Sequence, residues 1–90
     1  MKIKMKMEDK LIRIQFEMPE EKVNEIQNMM DEAGVKTRRE FFNNALSLLA
    51  WAIRERQTGR TIASINESEQ KYKELYMPIL ENAVRSKVKV

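Results

Sequence analysis

Leu11-Ile12-Arg13-Ile14-Gln15-Phe16-Glu17-Met18-Pro19-Glu20-Glu21 is the stretch that decides how this chain is built. Ile12, Ile14, Phe16 and Met18 alternate with Arg13, Gln15 and Glu17, with Leu11 on the polar side. A period of two is the pattern of a strand with one buried face. Pro19 then suits a first helical position, where its missing N–H costs nothing, and Glu20 and Glu21 complement the positive end of a helix dipole. The strand therefore runs straight into a helix. A lone strand leaves its backbone groups unpaired, and no second strand of matching quality with a short hairpin turn follows it. The predicted partner is the same strand of a second subunit.

Moving outward, Val23, Ile26, Met30 and Ala33 repeat at three and four residues and predict a helix ending at about Ala33, with Gly34 as its left-handed C-terminal residue and Val35 folding back on the last turn. Thr37-Arg38-Arg39-Glu40 has the spacing of a capping box and starts a second helix at Thr37, closed by Gly59. Phe41, Phe42, Leu46, Leu48, Leu49 and Ile53 make that second helix apolar on more than one side. A single short helix cannot cover it, which again predicts an obligate dimer.

Residues 1–10 read as a flexible basic arm in which each alternate Lys favours water. Residues 58–90 read as a C-terminal extension. Arg60 to Ile65 suits a short extended segment, and Asn66-Glu67-Ser68-Glu69 has capping-box spacing for a third helix. Tyr72, Leu75, Tyr76, Ile79, Leu80 and Ala83 keep helical spacing, so the two tyrosines read as packing residues. Pro78 predicts a kink or break near Met77. Arg85 to Val90 is expected to fray.

With 90 residues there is room for one small domain, which buries little surface unless a partner completes its core. Cysteine and histidine are both absent, which removes disulfides, thiolate and imidazole metal sites and histidine-based catalysis. No enzymatic role, metal or cofactor is expected. Ala45 to Ile53 is too short for a membrane span and the N-terminus lacks the apolar core of a signal peptide, so a cytoplasmic protein with no membrane association is predicted. The net charge of +3 is unevenly spread: residues 18–33 carry one Lys against five acids, whereas residues 34–40 carry three basic residues against one acid. Positive charge is kept near the strand and at the start of the second helix.

The order of alternating strand, acidic helix, Gly34-containing turn and capped apolar helix over residues 11–57 resembles the ribbon-helix-helix (Arc and methionine repressor-like) family of prokaryotic DNA-binding proteins. The resemblance rests on Arg13-Ile14-Gln15-Phe16-Glu17-Met18 running into Pro19-Glu20-Glu21, and on Gly34-Val35-Lys36-Thr37-Arg38-Arg39-Glu40. It implies a mainly α fold with one short strand per chain, an intertwined homodimer whose antiparallel ribbon lies in the major groove, and a phosphate held at the N-terminus of each second helix.

Under that resemblance Ile12, Ile14, Phe16, Met18, Phe42, Leu46 and Leu49 form the dimer core. Arg13 suits guanine and Gln15 adenine, since their donor and acceptor patterns match those base edges. Glu17 departs from the family's usual neutral or basic residue. A two-fold axis near Gln15 sets it against the partner's Arg13, where it orients that guanidinium or accepts from a cytosine amino group. Lys36, Thr37, Arg38 and Arg39 are the expected phosphate contacts.

The function implied is a sequence-specific transcriptional regulator, in the first place a repressor, binding double-stranded DNA as a dimer or as paired dimers. Two alternatives stand beside it: an antitoxin whose residues 58–90 engage a protein partner, and a homodimeric interaction module without DNA binding.

Overall fold

The computed structural model describes residues 10–89, so the arm predicted for residues 1–10 lies outside it but for Lys10. The chain is mostly helical, with α1 (Glu20–Ala33), α2 (Arg38–Gln57), the strands β1 (Ala63–Asn66) and β2 (Lys71–Glu74), and α3 (Pro78–Lys89). No helix among the described residues is long and apolar enough to cross a membrane.

Local chemistry places the ends of α1 and α2. Pro19 caps α1 in extended geometry and its carbonyl accepts from the N–H groups of Lys22 and Val23. Gly34 sits at φ 71°; its N–H donates to the Asp31 carbonyl and that of Val35 to the Met30 carbonyl at 2.9 Å. This double closure satisfies carbonyls that the helix end would leave orphaned. Gly59, at φ 88°, follows α2 in the same way, with Arg60 N–H reaching the Glu55 carbonyl at 2.9 Å.

The extension departs from expectation. Between Asn66 and Met77 there is no helix: β1 and β2 form an antiparallel hairpin in which Ile65 faces Tyr72 and Ser64 faces Lys73. The local hydrogen bond that the Asn66 spacing predicts does form, because Asn66 Oδ1 accepts from the Glu69 N–H at 3.2 Å and from the Ser68 hydroxyl at 2.8 Å. It closes a turn instead of opening a helix, since an Asx cap fixes only the first few residues and leaves the onward direction open. Gln70 completes the reversal at φ 56°, an uncommon conformation for a residue with a Cβ. Tyr72 and Tyr76 are exposed and pack on no core of the single chain. The Glu74 carboxylate accepts the Tyr72 hydroxyl proton at 3.1 Å and holds that phenol above its ordinary range.

Pro78 opens α3 and does not kink it; the Met77 carbonyl accepts from the N–H groups of Leu80 and Glu81. That is the position at which proline's missing donor is harmless. The helix continues to Lys89, through residues for which the sequence predicts fraying.

Apart from the hairpin itself, the most extensive approach between elements among the described residues is that of α2 with α3. Leu80 is fully buried there at 1% exposure, and Arg56 donates to both carboxylate oxygens of Glu81 at 3.0 and 3.2 Å while also donating to the Arg60 carbonyl at 2.9 Å. With Met30 and Ala52, Leu80 makes up the buried apolar set among the described residues. Three such residues are a small core. The accessible surface is 8577 Å², whereas a compact monomer of this mass exposes roughly 5,500 Å². The radius of gyration, 17.5 Å, likewise exceeds the roughly 12 Å of a compact chain this long.

Candidate nucleic-acid interface

The strand predicted for residues 11–18 does not form in the single chain: these residues take no helix or strand and enter no ladder among the described residues, since the strand expected to pair with them belongs to a second copy. The apolar face predicted to be a dimer core lies open in the single chain: Ile12 is 77% exposed, Ile14 79% and Phe16 64%. Of the remaining predicted core residues, Leu46 is 63% exposed, while Met18, Phe42 and Leu49 are half-buried. Burying one large aliphatic or aromatic side chain stabilises by about 1.5 to 3 kcal/mol. This face therefore carries a large unrealised stabilisation, and contiguous exposed apolar surface of this kind marks an interaction site.

Residues 14–18 do not stand apart from the helices. Together with α1 and the first half of α2 they line an open cleft of 970 Å³. Its apolar lining includes Phe16, Met18, Val23, Ile26, Phe42 and Leu46, and its polar lining is Gln15, Arg38, Arg39 and Asn43. The Phe42 ring is braced edge-on by Phe41, with centroids 5.3 Å apart. One base-reading candidate, Gln15, is thus brought beside two phosphate-binding candidates, Arg38 and Arg39. Arg13, Glu17, Lys36 and Thr37 are exposed and do not line the cleft.

The start of α2 has the geometry of an anion site. Thr37 is in extended conformation and its hydroxyl accepts from the Glu40 N–H at 3.1 Å, the forward half of the predicted capping box. The Phe41 N–H is taken by the Thr37 carbonyl at 3.1 Å. Arg38 and Arg39 follow at once and form no ion pair with a described residue. Cations at the positive end of a helix dipole are unfavourable there and favour a nearby anion; Glu40 in the same turn supplies one negative charge against the two. Thr37→Ala is expected to cost about 1 kcal/mol of stability in urea unfolding without DNA, by loss of the cap.

Electrostatically, α1 presents the opposite sign. Glu20, Glu21, Glu25, Asp31 and Glu32 are exposed along it, and its one Lys, Lys22, is tied to Glu25 at 3.3 Å. A polyanion approaching the chain is steered away from α1 and toward the 36–39 turn. Arg13 and Glu17 make no ion pair with a described residue of the same chain.

Comparison with protein-family models, curated proteins and solved structures gives no match. The cleft, the open strand and the basic turn are thus the grounds for a functional reading. One residue of this neighbourhood escapes a reading by sequence alone: Asn43, whose rim position follows from lying about one turn beyond Arg39 on α2. A polar residue set against the apolar run of α2 is the signal that points to it.

Proposed function

We propose that the chain is a ribbon-helix-helix DNA-binding regulator. Two copies pair residues 11–18 antiparallel, interlock their apolar faces over α2, and place Arg13, Gln15 and Glu17 in the major groove. The observation that carries this reading is the open apolar face of the extended segment beside the basic start of α2. One feature asks for a second copy and the other for an anion. A two-stranded ribbon fits the major groove, and backbone phosphates on either side of that groove fall to Thr37, Arg38, Arg39 and Lys36. The reading puts the protein with the chromosome, in the cytoplasm of a prokaryotic cell.

The antitoxin alternative needs residues 58–90 free for a partner. The seating of Leu80 and the Arg56–Glu81 pair against α2 favours the plain regulator, because it makes the extension part of the chain's own packing.

Selection of binding sites from random duplex DNA tests the proposal. A defined half-site is expected to be enriched. Arg13→Ala is expected to cost about 1 to 3 kcal/mol at one base pair and relax specificity there. Arg38→Ala is expected to weaken all sequences evenly and lower the slope of log affinity against log salt by about 1. If no sequence is enriched and both variants leave nonspecific affinity unchanged, the chain is not a DNA reader.

A further inference from the structure

The hairpin has two free edges, and they differ in kind. Thr61-Ile62-Ala63-Ser64-Ile65-Asn66 carries no charge, in a chain that is 34% charged. The other edge belongs to β2, which bears Lys71 and Lys73. Charged side chains, lysine above all, are how edge strands are kept from pairing with other chains. One edge is guarded and the other is open.

The hydrogen-bond parity settles which groups the open edge presents. The Leu75 N–H donates to the Ile62 carbonyl at 2.8 Å, in register with Ser64 facing Lys73 and Asn66 facing Lys71. Residues 62, 64 and 66 therefore direct their backbone groups to β2, and those of Ala63 and Ile65 point outward. Among the described residues no helix makes more than a slight contact with β1, and Ile65 is 64% exposed.

We propose that β1 pairs antiparallel with β1 of a second copy across a two-fold axis at Ser64, giving a four-stranded sheet and an interface separate from residues 11–18. In this register Ala63 of each copy exchanges hydrogen bonds with Ile65 of the other, about four bonds in all. All the outward groups are used. The axis is normal to the sheet, so each side chain keeps its face. Both Ile65 and both Ala63 side chains then join into one apolar patch flanked by Tyr72 of each hairpin, and the opposite face carries Ser64 and Asn66.

The same operation fails at β2. An axis at Lys73 sets that residue against itself, and an axis at Tyr72 sets Lys71 against Lys73. Like charges directly opposite destabilise a strand pair. The occupant of the open edge is thus a second β1, because its uncharged register is self-complementary.

Cross-linking and mass measurements on the full chain test this independently of the ribbon. Ser64 of the two copies would form a non-hydrogen-bonded pair with Cα atoms about 4.5 Å apart, inside the roughly 4.4 to 6.8 Å that a disulfide spans. The chain has no native cysteine to compete. Ser64→Cys is expected to oxidise to a covalent dimer far faster than Asn66→Cys, whose partner position is Ile62.

Ala63→Pro removes an outward N–H and leaves every β1–β2 bond, a place where an edge strand tolerates proline. It is expected to lower the assembly mass in light scattering, to two chains if the ribbon also forms and to one if it does not. Ile65→Lys, which keeps the whole backbone, is expected to lower it to the same value. Equal cross-linking of the two cysteine variants, or an unchanged mass in both Ala63→Pro and Ile65→Lys, overturns the proposal.

Discussion

Phe16→Ala is expected to convert the proposed dimer into dissociated, largely unfolded chains at micromolar concentration. Phe16 is 64% exposed in the single chain and lines the cleft with Met18, Phe42 and Leu46. If the second copy fills that cleft, each ring becomes core, and truncating a core phenylalanine costs about 3 to 5 kcal/mol. The dimer loses that twice. A chain with three buried apolar residues among those described, one of them fully buried, has little other stability to draw on.

The measurement is thermal unfolding by circular dichroism across a range of protein concentrations, with mass by light scattering. The wild type is expected to melt at a concentration-dependent temperature, as a folding-coupled dimer must. Leu11→Ala is the control, because Leu11 is 93% exposed and lies on the other face of the segment. A Phe16→Ala protein with wild-type mass and melting would remove residues 11–18 from the interface, and the ribbon with them.

Leu80→Ala is the second large effect. Leu80 is 1% exposed, the most completely buried large side chain described, and it lies where α3 approaches α2. Deleting its branched end leaves a cavity that two helices cannot easily close, at a cost of about 2 to 5 kcal/mol. Hydrogen exchange should show the loss confined to α3 and the facing turns of α2 if the extension opens as a unit, with α1 little changed.

Glu81→Gln provides the comparison. It leaves one acceptor for Arg56, and because the side chains are 19% and 34% exposed the ion pair is partly screened, so a smaller loss of about 1 kcal/mol is expected. The order of the two losses decides what holds α3. Equal losses would mean that the bidentate pair, and not the apolar contact, docks the helix.

The helix boundaries were the most legible part of this chain. Pro19, Gly34, Thr37 and Gly59 each act through a bond to a neighbour a few residues away, so their effect does not depend on what the rest of the molecule does. The alternation of Ile12, Ile14 and Phe16 is plain in the sequence, but in the single chain residues 11–18 form no strand and Leu11, on the other side of the alternation, is as exposed as they are. The basic turn at Arg38 and Arg39 is visible as a run of charge, but its neighbourhood with Gln15 and Asn43 comes only from the cleft that these residues line together.

The last residues, expected to fray, continue α3 to Lys89, and the extension was misread from Asn66 to Met77. There Tyr72, Leu75 and Tyr76 fit a helix by spacing, whereas Lys71, Tyr72, Lys73 and Glu74 also suit an edge strand. Short segments of this kind have two acceptable local conformations separated by little energy, and local propensity is a weak prior between them.

What the amino-acid order by itself determined was the punctuation and the acidic and basic division between α1 and the 36–39 turn, both of which depend on interactions short in sequence. What the tertiary structure decided was the reversal at Glu67–Gln70 and the start of α3 at Pro78. Seating Leu80 and Glu81 against α2 rewards the hairpin that returns the chain to it, and a continuous helix from Asn66 would forgo that burial.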